Sequence, residues 1–257
     1  MLRDLFQNLR QGLLRAWQGR HLLVTLVVLV ASGVMVRLGF WQLDRLAQRR
    51  AYNARVMAQM TAADVDLNQH ALDIQDPEAY RYRGAFVRGR FVPQDEILVR
   101  NRFYQSRPGY RVLTPLWIDG YRGTLAVLVD RGWMPEPLTE DVPPPPAGLV
   151  EVRGYLMPGE TAPRNTTPPP PGEAWFWIDL PMLEARLSYR LLPVYLVQTP
   201  PKGEVDTTPP IQTPLQVELT DGPHLGYAIQ WFLFATVLPL VYFYQVGKVG
   251  SGRESVG

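Results

Sequence analysis

The sequence predicts a membrane protein in which two transmembrane α-helices at the termini flank a mainly antiparallel β domain, a small barrel or sandwich with one short helix. Three observations predict it. Residues 22–36 are apolar but for Thr25 and Ser32, and the pattern runs on through Arg37 to Trp41. Residues 225–244 are apolar apart from Gln230, Thr236 and the tyrosine hydroxyls. Between them lies a polar, proline-rich stretch whose apolar residues alternate with charged ones, as in half-buried strands. A helix of about 20 residues rises about 30 Å, enough to cross a bilayer core. The expected division is a basic tail over residues 1–21, a first span over 22–43, a helical extension and linker over 44–79, the β domain over 80–222, a second span over 223–246 and a short tail over 247–257.

Each element has its own warrant. Residues 1–20 space Leu2, Leu5, Phe6, Leu9, Leu13, Leu14 and Trp17 among arginines. That spacing suits an amphipathic helix in the headgroups, and a disordered basic tail is the alternative. The first span is followed by Arg37-Leu38-Gly39-Phe40-Trp41 rather than a small-residue cleavage site, which reads as a retained anchor. Beyond Trp41 no Gly or Pro occurs until well past Met60, so one long helix should leave the membrane. Strands are expected over residues 80–87 with 90–92, 96–102, 110–118, 124–133, 149–157, 175–178, 194–198 and 215–219. A turn at residues 119–123 joins the third and fourth, and a short helix is expected over 181–187. The proline runs 143–146 and 168–171 should be extended surface segments.

Composition excludes several functions. Of 257 residues none is cysteine, which removes disulfides, thiolate metal sites and a cysteine nucleophile. A formal net charge of +2 gives no reason to expect a nucleic-acid partner. The histidines, His21, His70 and His224, are scattered, and no metalloprotease, nucleophile-elbow or phosphate-loop motif occurs, so an enzyme is not expected. Arginines flank the first span on both sides. Lys248 and Arg253 follow the second, however, and no Lys or Arg lies between Glu204 and His224. The positive-inside rule then puts both termini in the cytoplasm and the central domain outside it, in a bacterial cell membrane or a mitochondrial inner membrane.

Few residues are placed for chemistry. His224 opens the second span, and on a helix it shares a face with Ala228, Trp231 and Ala235. A neutral imidazole is a good ligand for haem iron, small residues beneath it leave room for a flat ring or a neighbouring helix, and Trp231 could stack there. A plain interfacial histidine, hydrogen-bonded to headgroups, is the other reading. Arg37, Trp41 and Arg45 share a face of the first helix, suited to carboxylates such as haem propionates or to lipid phosphates. Gln42, Gln230 and Tyr227 could hydrogen-bond between the spans. Arg131-Gly132-Trp133 ends a strand, with Trp133 expected in the core.

These residues also carry a resemblance. Leu38-Gly39-Phe40-Trp41-Gln42-Leu43-x-Arg45, the segments at residues 82–91, 107–116, 127–133 and 175–181, and residues 224–232 (HLGYAIQWF) resemble, in order, the signatures of the surfeit locus protein 1 family. The runs around Pro143 and Pro168 have no counterpart in that pattern. The resemblance implies an assembly factor for haem–copper cytochrome c oxidase, implicated in handling haem A during maturation of the catalytic subunit, beside haem A synthase. It implies cytochrome c oxidase subunit 1, haem A synthase and membrane lipid as partners. It also places His224 where bacterial members have a proposed haem ligand. Spacing, and not the resemblance, makes Trp231, Arg37, Trp41 and Tyr227 the candidate surroundings of a haem held on His224. A haem-free scaffold that stabilises an oxidase intermediate is the alternative.

Overall fold

A computed structural model of the chain describes residues 2–137, 141–200, 207–215 and 217–254. In chain order the elements are α1 (Leu2–Ala16), α2 (Gly19–Thr61), β1 (Val65–Asp66), α3 (Leu67–His70), β2 (Gly84–Phe91), β3 (Ile97–Tyr104), β4 (Arg107–Ile118), β5 (Leu125–Pro135), β6 (Val150–Pro158), α4 (Leu180–Glu184), β7 (Arg190–Gln198) and α5 (His224–Glu254). They fall into two compact units, Met1–Ala54 with Leu219–Gly257, and Arg55–Glu218.

The first unit is helical. Helix α1 is formed, the amphipathic alternative of the two expected, and Arg15 donates to the Gly247 carbonyl of α5 (3.3 Å). Among the described residues two helices are long and apolar enough to cross a membrane, over His21–Thr61 and His224–Lys248. Only 17% and 11% of their most apolar windows are buried, so they are not core helices of a soluble fold. With 43 residues, α2 is about 65 Å long, twice what a bilayer core needs, and the surplus lies beyond Trp41 as expected.

The second unit is a β-barrel. The sheet order is β1-β2-β6-β7-β5-β4-β3, and a further β2–β4 pairing closes β2, β6, β7, β5 and β4 on themselves. β4 serves two neighbours along one edge. Its first half pairs with β3 (Ile97↔Leu113) and its last residues with β2 (Phe91↔Leu116). β2 and β3 are therefore one line of chain, interrupted where Pro93 begins a 3-10 turn and cannot donate to the ladder. Most ladders are antiparallel, but β5–β7 is parallel, the chain passing through β6 and α4 between them.

One hydrophobic cluster joins residues from all five closed strands, among them Val87, Leu116, Val127, Val152 and Leu196. Leu67, Ala71 and Ile74 belong to the same cluster and pack against it from outside the sheet. A second cluster covers the other face of β5 and β7. There Trp175, Ile178, Leu180 and Leu183 pack on Leu128, Leu191 and Val197. This is why β5 is buried from Leu125 to Met134 and reads as an unbroken apolar run until Asp130.

Two expected strands are absent, and one was not anticipated. Residues 175–178 make only a single bridge, Val99↔Trp175. The Ile178 amide is drawn instead to the Glu160 carboxylate (3.0 Å), and Asp179 caps α4 by accepting from the Met182 amide. Residues 215 and 217–219 are not strand (Gln216 lies outside the described residues), and the return chain pairs earlier, at Ile211 with Trp133. Pro214 removes a ladder donor just before the expected strand. Tyr80 closes a 3-10 turn rather than opening a strand, and the ladder begins at Gly84. β1 pairs in parallel with β2, and at two residues it is too short for an alternation to show.

The end of β5 carries a polar knot. Val112 pairs with Gly132 and Leu113 with Asp130, so Arg131 is a bulged extra residue. Gly132 has φ +140°, and a Cβ there would lie 2.5 Å from the Pro210 carbonyl oxygen. The bulge turns Arg131 inward to Glu96 (2.7 Å), whose same oxygen accepts from Thr114 (2.6 Å). Asp130 Oδ1 accepts from the Gly132 amide (3.0 Å) and lies 3.7 Å from Arg111. Burial pushes the Asp130 carboxyl up, against the opposing pull of Arg111, and pushes the Tyr155 hydroxyl up to about 12. Trp133 is buried as expected, its indole N–H donating to the Arg102 carbonyl (3.1 Å).

A candidate haem-ligand site at the head of the second span

The site belongs to the helical unit and is set by how α2 and α5 lie side by side. Three contacts define an antiparallel pair. Near one end the Thr25 hydroxyl meets the Tyr242 hydroxyl (2.7 Å) and also donates to the Ala16 carbonyl (2.9 Å). Further along, the Phe232 ring lies edge-on to Phe40 (centroids 5.3 Å) and over Gly39. A Cβ on Gly39 would fall 2.6 Å from that ring, so any other residue there would force the Phe232 ring to shift. At the far end, His224 Nδ1 meets Gln42 Oε1 at 2.9 Å.

That last contact decides the chemistry of the imidazole. The Gln42 oxygen only accepts, so Nδ1 carries the proton and donates. In the neutral ring Nε2 then holds the lone pair. Histidines that bind metals are oriented in this way, one nitrogen fixed by a hydrogen bond and the other presented.

The chain leading to His224 is held as well. The Arg49 guanidinium donates to the Thr220 carbonyl (3.1 Å), as does the Asn53 amide (3.2 Å), and Arg50 pairs with Asp221 (2.8 Å). Gly222, at φ +69°, turns the chain into α5. Residues 220–224 thus run along α2 from Asn53 toward Gln42. Arg49, Arg50 and Asn53 bear on the site although sequence reasoning assigned them nothing. Their partners lie more than 160 residues away, and no local pattern marks them.

The other expected residues scatter around this point. Ala228 and Ala235 are buried, so the small-residue stripe beneath His224 is taken up by helix packing. Trp231 is half-buried and meets Phe234 edge-on (6.3 Å). Seven residues along a helix put it about 10 Å deeper than His224. Trp41 and Tyr227 are exposed, and Arg45 lies over the Trp41 ring (5.7 Å). Arg37 is exposed, and five residues at about 100° each set it roughly 140° around α2 from Gln42. The structure therefore joins His224 to Gln42, and it leaves Arg37 and Trp41 on other faces of α2. Gln230 is exposed and makes no interhelical bond.

Among the described residues no group of three or more His, Asp or Glu gathers as a metal cluster. What the geometry offers is a single imidazole nitrogen, Nε2 of His224.

Residues 29–236 match the SURF1 family. The chain belongs to that family. It is 28% identical to a SURF1-like protein of Rickettsia bellii over 242 residues, covering 90% of this chain and 94% of the relative. A SURF1-like protein of Rickettsia felis is 27% identical, covering 84% and 94%. An uncharacterized SURF1-like protein of Mycobacterium tuberculosis is 26% identical, covering 84% and 80%. The family match begins within the first apolar helix, takes in the barrel and ends within the second apolar helix.

Proposed function

We propose that this SURF1 protein is an assembly factor for haem–copper cytochrome c oxidase that takes haem A on His224 and passes it toward the catalytic subunit. The observation that carries the reading is the 2.9 Å contact between His224 Nδ1 and Gln42, which leaves Nε2 available at the head of α5. Haem A is cargo here and supplies iron with an open axial position. His224 offers the single nitrogen, Gln42 keeps it in the useful tautomer, Tyr227 lies one turn on along α5, and Trp231 and Trp41, deeper along α5 and on another face of α2, are left to helix packing and lipid. One protein ligand suits a carrier, because a closed two-ligand site would hold the cargo too firmly. Arg37 faces elsewhere on α2 and serves lipid phosphate or a partner's carboxylate. The partners are cytochrome c oxidase subunit 1, haem A synthase and membrane lipid. The setting is a bacterial cell membrane with both termini cytoplasmic and the barrel outside.

A haem-free scaffold is favoured by one observation, the burial of Ala228 and Ala235, since packing already occupies the stripe a ring would need. One experiment separates the two. The protein and its His224→Ala variant are purified from cells that make haem A, and their visible spectra and co-purified oxidase subunits are compared. Haem bound by the parent and lost from the variant supports the carrier. No haem in either, with subunit 1 retained by both, overturns it in favour of the scaffold.

A further inference from the structure

We infer that a cavity on the barrel, walled in part by the proline run at residues 168–171 and by Val142, binds an extended segment of a partner protein that presents an arginine or lysine between apolar side chains. The inference is independent of the haem reading. The cavity has a volume of about 660 Å³, within the range of ligand sites. Its floor is apolar, made by Leu128, Trp175, Leu183 and Leu191. Asp95 and Glu96 stand in one wall and Glu173 at the rim.

The segments that carry Val142 and the second proline run are pinned in place. The Arg131 guanidinium, itself buried, donates to the Pro143 carbonyl (2.7 Å), beside Val142 at the cavity. Arg186 donates to the Pro169 carbonyl and lies over the Trp175 ring (5.1 Å), next to Pro170 and Pro171 in the opposite wall. Proline supplies a carbonyl acceptor and no N–H donor. Its fixed φ also makes such a wall rigid before anything binds, which lowers the cost of binding.

The lining is accordingly rich in acceptors. Carboxylates and proline carbonyls only accept, while guanidinium and ammonium groups only donate. Glu96 uses Oε2 for Arg131 and Thr114, and Asp95 uses Oδ2 for the Tyr189 hydroxyl (2.6 Å). The second oxygen of each has no protein donor among the described residues. Arg186, the one cation in the lining, is committed to Pro169 and Trp175. A free metal ion would use the carboxylates and waste the floor, and a purely apolar ligand would leave the carboxylates desolvated without a partner. A basic side chain flanked by leucine-like neighbours satisfies both.

The test uses the full-length protein in lipid nanodiscs and fluorescent pentapeptides Ala-Leu-X-Leu-Ala with X as Arg, Lys, Gln or Glu. The Arg and Lys peptides should bind saturably and at least tenfold tighter than the Glu peptide, the preference shrinking in high salt. Glu173→Lys, an exposed change, should weaken the Arg peptide about fivefold, as expected for loss of one rim charge pair. Leu187→Trp, which fills the cavity, should abolish binding while thermal unfolding stays unchanged. The idea is overturned by equal affinity for all four peptides, by no binding of any, or by Arg-peptide binding that both variants leave intact. Free arginine binding as tightly as the Arg peptide would also overturn it, since the occupant would then be a small molecule.

Discussion

Replacing Gln42 by leucine removes the acceptor that holds His224 and nothing else of comparable size. The ring loses a 2.9 Å hydrogen bond, and Nδ1 and Nε2 become free to exchange the proton. Partners of this kind are worth 10- to 100-fold in metal affinity, or about 1.4–2.7 kcal/mol. A net hydrogen bond between uncharged groups contributes about 1 kcal/mol, which lies just below that window, and tautomer exchange adds a few tenths more. The expected loss is therefore near the lower end, about tenfold. Gln42→Glu should act oppositely, because a carboxylate accepting from Nδ1 makes Nε2 a better donor. The assay is equilibrium titration of haem into nanodisc-held protein, followed by its visible spectrum, with His224→Ala as the reference for lost ligation. If Gln42→Leu binds as tightly as the parent while His224→Ala does not, His224 is a ligand that Gln42 does not position. If both variants match the parent, iron is not bound at His224.

Three further outcomes test the frame around the site. Gly39→Leu places side-chain atoms where the Phe232 ring lies, since even a Cβ would come within 2.6 Å. It should separate α2 from α5, raise the exchange rate of the α5 backbone amides near Phe232 and weaken haem binding together with the His224–Gln42 contact. Amide exchange mass spectrometry reads the first effect, and unchanged protection there would contradict the packing. Arg131→Ala leaves Glu96 without its cation. Breaking a buried pair costs about 3–5 kcal/mol, and because Glu96 keeps 19% of its side-chain surface exposed a cost of about 2–4 kcal/mol is expected. Adding Glu96→Gln should recover part of that loss in thermal unfolding, and strictly additive changes would show the pair is uncoupled. Asp130 tests pH. Its carboxyl is raised in the folded state by burial, so the native protein holds that proton more tightly than the unfolded chain. Stability from this group is present below the unfolded value and falls as pH rises toward the folded one. The melting temperature of the parent relative to Asp130→Asn should therefore decline as pH is raised from about 4, and a rise would reverse the sign of the argument.

Much of this protein is written in local pattern. Two apolar runs long enough for a bilayer, the absence of helix breakers between Trp41 and Met60, and the alternation that opens the β domain in β2 are each readable within a dozen residues, because helix length and strand face depend on neighbours in sequence. The unbroken run of β5 also shows, and a strand covered on both faces is the reason for it. His224 stands out for the same local cause, a lone imidazole at the mouth of an apolar helix. Residues 175–178 and 215–219 misled because short apolar stretches look alike whether they pair as strands or pack as plugs. Ladder partners decide that, and Glu160, Asp179 and the prolines removed them.

By itself, then, the sequence determined the two spans, the strand-rich middle and the one candidate ligand, since periodicity and composition act over short distances. Only the tertiary structure decided that β2 closes on β4, that Gln42 meets His224 across 182 positions, that Arg37 lies on another face, and that Val142 and the second proline run meet at one cavity. Those outcomes depend on which distant surfaces exclude water together and on which buried polar groups find partners, and neither is encoded in any window of adjacent residues.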